Sequence, residues 1–161
     1  MKESISLTAF VIALSIWLHT LATVVFVGHY LFMCLVYLPV FEHHAQGDAL
    51  RQLLESVSSR LRPYFGSSLL VFLITGTYLM MINEDYLGLG NFFGNAWSAL
   101  IVIKHVVVMA FLAIAIYSER AIMGKISEER PQALKQFRLA LGINTFLGVL
   151  ILLLTTAAQS V

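Results

Sequence analysis

Long apolar stretches separated by short charged ones organise this chain. Charged residues fall at Lys2–Glu3, within 42–62, at 84–85 and within 119–138, and the segments between them hold one charge, Lys104. An apolar run of roughly 18 or more residues is long enough to cross a bilayer. The pattern predicts helices over 6–41, 64–82, 97–118 and 138–159, in a single transmembrane domain covering residues 1–161. Only helices and closed barrels satisfy the backbone in lipid. The runs do not alternate at period two, so the expected fold class is all-α, an integral membrane four-helix bundle.

The first run is overlong for a span, which needs about 20 residues. It must tilt, kink or project into water, and Pro39 is a natural place for the chain to leave the membrane, because an interior proline removes a backbone hydrogen bond. The run reaches Phe41, well beyond the roughly 7–15 residues of a signal-peptide apolar core. It reads as a retained first helix.

The short loops differ in charge. Arg51, Arg60 and Arg62 lie in the first, and Arg120, Lys125, Arg130 and Lys135 in the third, with Arg138 at its edge. The second has Glu84 and Asp85 only. Lysine and arginine favour cytoplasmic loops, so loops 1 and 3 are expected inside, with both termini and loop 2 on the outer side; Lys2 opposes this weakly. Leu50, Leu53, Leu54, Val57 and Leu61 recur at helical spacing, which fits an amphipathic helix docked on the membrane or bundle, or an extension leading into the second span after Pro63. Pro131 suits the first turn of the last helix. Gly88, Gly90, Phe92, Phe93, Gly94 and Trp97 suggest an interfacial turn with aromatic anchors.

Composition narrows the class. The chain is 59% hydrophobic and 12% charged, against about 25% charged in soluble domains. A formal charge of +1 gives nucleic acid nothing to hold. The lone cysteine, Cys34, cannot form an intrachain disulfide. The expected partners are the lipid bilayer, a quinone or porphyrin, and a redox partner or larger membrane complex. The expected location is a bacterial inner (plasma) membrane.

Ionisable side chains inside spans are costly and usually mark function. Four qualify: His19 and His29 on the first helix, Lys104 and His105 on the third. Thr75, Thr77, Asn144 and Thr145 are weaker polar groups. His19 and His29 are about 15 Å apart along a helix and roughly 80° apart around it, so they cannot share one small ion. Counted back from Glu42 and Glu119, His29 and His105 are level. Counted from the outer ends, His19 and His105 are level instead. Either pair is the minimum for bis-histidine ligation of haem b, one or two per chain, with the macrocycle buried in the bundle. Gly28 leaves room for a flat porphyrin beside His29. Lys104 asks for an anionic partner such as a propionate or quinone oxygen. The Glu42-His43-His44 cluster reads as a solvated loop. Met33, Met80, Met81, Met109 and Met123 raise copper, since thioether sulfur suits Cu(I), but read better as packing.

Trp17-Leu18-His19, Val24-Val25-Phe26-Val27-Gly28 and Leu38-Pro39 resemble the first helix of two related small membrane families. These are the CopD-like (copper-resistance D) family and the HemJ-type protoporphyrinogen oxidases. Gly94 and Ile103-Lys104 are similar to the third-helix segment of both, and Asn144 with Leu147-Gly148-Val149-Leu150 to the CopD-like ending. The HemJ-type resemblance implies haem b, with functional roles for His19 and Lys104. The CopD-like resemblance implies copper uptake or tolerance. His29 and His105 depart from both patterns and add two potential ligands.

The leading expectation is a haem-b-binding membrane cytochrome, an oxidoreductase exchanging electrons with a quinone, porphyrin or redox protein. Its cofactor-binding residues would be His19, Gly28, His29, Lys104, His105 and Asn144, with iron on His29, His105 or His19. The alternatives are a HemJ-type protoporphyrinogen IX oxidase, a CopD-like copper protein, and an accessory subunit of a respiratory or photosynthetic complex.

Overall fold

The computed structural model describes residues 6–88, 90, 91, 93–127 and 131–160. Lys2, Phe92 and Arg130, used above for orientation and anchoring, lie outside them. The described residues are helical with short turns and no strand, and four continuous helical stretches are long and apolar enough to cross a membrane: Leu7–His44, Gly47–Met81, Ala96–Lys125 and Pro131–Ala158. The all-α, four-span expectation holds, and the chain is a multi-pass membrane protein.

The first stretch is α1 (Leu7–Phe32), a π-turn (Met33–Tyr37) and α2 (Leu38–His44). Pro39 explains the wide turn. In an α-helix its ring would collide with the carbonyl four residues back, and it has no N–H to bond there. The helix widens instead, with the Leu38 N–H reaching the Met33 carbonyl, and continues rather than ending. His43 and His44 therefore sit on an exposed helix end, not in a solvated loop.

Helix α3 (Gly47–Met81) runs straight through Pro63. The amphipathic segment is thus an extension of the second span. It is also docked, because Leu50 and Leu54 are fully buried in the core that includes Met33, Leu38 and Ile126. Helix α4 (Ala96–Tyr117) continues through a π-turn (Ser118–Ile122) and a short 3-10 turn (Met123–Lys125). Helix α5 opens at Pro131, as its sequence position suggests, and ends at Ala158.

The spans pack as two tight pairs, α1 on α3 and α4 on α5, joined where α1 meets α5. At that seam Gly148 lets α1 come close: a Cβ there would sit 2.9 Å from Val27. The Thr145 hydroxyl donates to the Tyr30 carbonyl across the same seam (3.3 Å). In the centre Phe111 stacks on Phe26 and meets Tyr30 edge-on. Asn144, fully buried, ties α5 to α4. In the amide orientation that satisfies both ends, it donates to the Phe111 carbonyl and accepts from the Ala115 N–H, each at 3.2 Å.

Helices α3 and α4 hardly touch. At the basic end two ion pairs bridge the elements: Arg138 to both oxygens of Glu42 (2.8 and 2.9 Å) and Arg62 to Glu119 (3.8 Å). Exposed pairs of this kind contribute only about 0–1 kcal/mol each, so they register the helices more than they hold them. Toward the opposite end, where Glu84 and Asp85 lie, α3 and α4 separate and leave a cleft.

Candidate functional site in the cleft between α3 and α4

The cleft has a volume of about 680 Å³. His19 enters it from α1, Met80 from α3, and Lys104, His105 and Met109 from α4. Asn83, Glu84, Asp85 and Trp97 stand at its mouth. That mouth is tied together locally. The Asn95 side chain caps α4 by accepting from the Ser98 N–H (2.7 Å) and also donates to the Asp85 carbonyl (2.8 Å). Asn83 accepts from the Asp85 N–H (2.8 Å).

His19 is held on three sides. Its ring stacks on Phe72, with centroids 4.4 Å apart and planes 22° from parallel. Its Cε1 edge also comes against Gly76, where a Cβ would be 2.9 Å from Cε1. Only glycine lets the imidazole approach α3 this closely. The third hold is a hydrogen bond between Nδ1 and the Thr75 hydroxyl at 3.0 Å.

That bond assigns the tautomer. The Thr75 hydroxyl donates its one proton to the Val71 carbonyl at 2.6 Å. Its oxygen can then only accept from His19, so Nδ1 carries the proton. In the neutral ring the lone pair is left on Nε2. His105 reaches the same state by another route. Its Nδ1 lies 2.7 Å from the Ile101 carbonyl, one turn back on α4, and a carbonyl can only accept. Both histidines therefore offer Nε2. Metal-binding histidines are usually oriented this way, with the second nitrogen fixed by a carbonyl or another acceptor.

Lys104 completes the polar set, with no hydrogen-bond or ion-pair partner among the described residues. Also among those residues, no three histidine, cysteine or carboxylate side chains form a metal cage. The nitrogen and sulfur donors of the cleft come from three helices, one each from α1 and α3 and the rest from α4. Of the methionines, Met33 and Met123 are core packing, while Met80 and Met109 line the cleft.

The other candidate residues lie apart from this site. His29 and Gly28 line a different groove, between α1 and α3. The pairing of His29 with His105 at one depth thus does not correspond to a shared cavity, whereas the pairing of His19 with His105 does. Glu42 and Glu119, from which that count starts, pair with different helices, Glu42 with Arg138 and Glu119 with Arg62. Asn144 does not line the cleft, since its amide is committed to the α4 backbone. Glu42 is engaged by Arg138, which removes it from any site with His43 and His44. Gly76 and Phe72 were not singled out in the sequence. The available signal was Thr75-Gly76-Thr77, a small polar break in an apolar span.

A family model described as copper resistance protein D matches residues 55–158. The match includes Thr75, Gly76, Lys104 and His105 and leaves His19 outside. No curated protein and no solved structure matches the chain.

The tautomer assignment is testable. With ¹⁵N-histidine-labelled protein in nanodiscs at neutral to alkaline pH, His19 is expected as a single Nδ1–H tautomer. Thr75→Val is expected to give a mixture of both tautomers, and Gly76→Ala to shift the His19 ring resonances while leaving those of His105 in place. An Nε2–H signal for His19 in the unmodified protein would contradict the assignment.

Proposed function

The chain belongs to the copper resistance protein D (CopD) family, and from that premise we propose that it handles copper in the membrane, with the cleft between α3 and α4 as the place where the ion is bound or passed. The observation that carries this reading is the common tautomer of the two cleft histidines. Imidazole nitrogen and thioether sulfur both suit Cu(I). His19 and His105 supply the first, and Met80 and Met109 the second. Glu84 and Asp85 at the mouth give a cation an attractive approach. The basic loops 1 and 3 share the opposite end, which supports an orientation with those loops in the cytoplasm and the cleft opening outward. A bacterial inner membrane is the setting this proposal assumes.

Copper is here the substrate, and the protein's part is positional. Thr75, Phe72 and Gly76 fix one nitrogen donor before any ion arrives. The Ile101 carbonyl fixes the other. Loss of such orienting partners typically weakens metal binding by about 10–100-fold.

Competition of the nanodisc-embedded protein against a chromophoric Cu(I) chelator tests the reading. His19→Ala and His105→Ala are each expected to reduce Cu(I) affinity at least about as much as Thr75→Val, for which a drop of about 10-fold or more is expected. His29→Ala is expected to leave affinity unchanged. Equal affinity in all four variants would reject the cleft as the copper site.

One observation favours a second reading. Lys104 opposes a bare cation in the same cleft but suits an anionic group. A haem b held by His19 and His105, with a propionate on Lys104, would use all three residues, and the donor set fits such a group. Bound there, haem would supply one-electron chemistry. The chain's own part would be to orient the two imidazoles, exclude lipid and neutralise the propionate. The same cleft brings together His19 and Lys104, the residues the HemJ-type resemblance points to. A reduced-minus-oxidised spectrum of haem-replete protein decides this reading. Soret and α-bands lost in both His19→Ala and His105→Ala would establish it, and their absence would eliminate it.

A further inference from the structure

His29 is unaccounted for by the cleft. It lines a second cavity, a groove of about 250 Å³ between α1 and α3, together with Gly28, Phe32, Tyr37, Tyr64 and Phe65. None of these residues lines the cleft. The groove therefore stands independently of the copper and haem readings.

The imidazole of His29 is set among aromatic rings. It meets Tyr30 edge-on at 4.8 Å and Phe65 at 5.8 Å. Neither ring nitrogen has a hydrogen-bond partner among the described residues. A polar ring in an apolar wall costs free energy until it finds a partner. Among the described residues, no Lys, Arg, Asp or Glu lines the groove, so none of them would neutralise a charged headgroup. A plain acyl chain would fill the space and leave the imidazole unsatisfied.

The shape narrows the occupant further. Gly28 contributes no side chain, and a Cβ built there meets nothing within 4 Å. The floor is therefore open beside the imidazole. Phe32, Phe65 and Tyr64 supply aromatic walls, against which a flat ring packs better than a flexible chain. Tyr37 lies in the π-turn that Pro39 imposes, and π-turns within helices recur at functional sites.

We propose that this groove binds a neutral, membrane-soluble ring of the quinone class, with a ring oxygen hydrogen-bonded to His29. The flat, uncharged body matches the walls, and the oxygen gives the imidazole the partner it lacks. Gly28 sets how closely the ring approaches α1. The site requires no metal and no contact with the cleft.

Photolabelling of the nanodisc-embedded full chain with a short-chain azidoquinone, followed by peptide mapping, tests the proposal. Adducts are expected on residues 24–32 or 61–65 and are expected to fall at least several-fold in His29→Leu and Gly28→Leu. His29→Gln, which keeps a hydrogen-bonding group, is expected to retain most of the labelling, and His19→Ala all of it. An alkyl diazirine serves as the control for a lipid groove and is expected to be insensitive to His29→Leu. Helix content and elution profile verify that each variant is folded. Quinone labelling that is unchanged in His29→Leu, or that falls only within the α3–α4 cleft, would overturn the proposal. So would loss of labelling on addition of excess phosphatidylglycerol but not of unlabelled quinone.

Discussion

An imidazole edge against a bare backbone is the contact on which the cleft is built. His19 can lie on α3 because Gly76 has no side chain, and the approach places Nδ1 within reach of Thr75. Thr75 in turn has committed its proton to the Val71 carbonyl of its own helix. Helix backbone, hydroxyl and imidazole thus form one chain of hydrogen bonds with a single direction. A buried network of this kind is stable when every member is satisfied. Its one free valence, the Nε2 lone pair, belongs to a ring that lines the cleft.

The cleft exists because packing is uneven. Glycine and small polar contacts draw α1 onto α5 at Gly148 and Thr145, and Asn144 draws α5 onto α4. In lipid, close packing and interhelical hydrogen bonds drive association, since there is little hydrophobic gain between helices. Between α3 and α4 no such contact is built, and the two helices are related mainly through the others. The ion pairs at the basic end fix the registry of the ends without closing the gap. Lys104, His105 and Met109 are on the helix that borders the gap, which is why polar groups can stand at this depth without a protein partner for each.

Much of the fold was legible in the sequence, because an apolar run has few alternatives in lipid. The four spans follow from the charge pattern, and Pro131 marks the start of α5. Pro39 and Pro63 were harder. Each breaks one backbone bond, but α2 and the first half of α3 have docked neighbours that keep the helix going. The site was half legible. His19, Lys104 and His105 declared themselves as ionisable groups in spans. Their grouping depended on relative depth, and two ways of counting gave two answers; the cleft lining brings His19, Lys104 and His105 together and leaves His29 in another groove. Gly76 escaped notice because a glycine in a span carries no chemistry of its own, and its role is visible only when the ring of His19 is brought against it.

X-ray absorption at the copper edge of Cu(I)-loaded protein in nanodiscs tests the central claim most directly. The account predicts an inner shell containing imidazole nitrogen from both cleft histidines together with sulfur, and loss of one nitrogen scatterer in His105→Ala. A shell of sulfur or oxygen alone, or a nitrogen shell indifferent to both histidines, would contradict it.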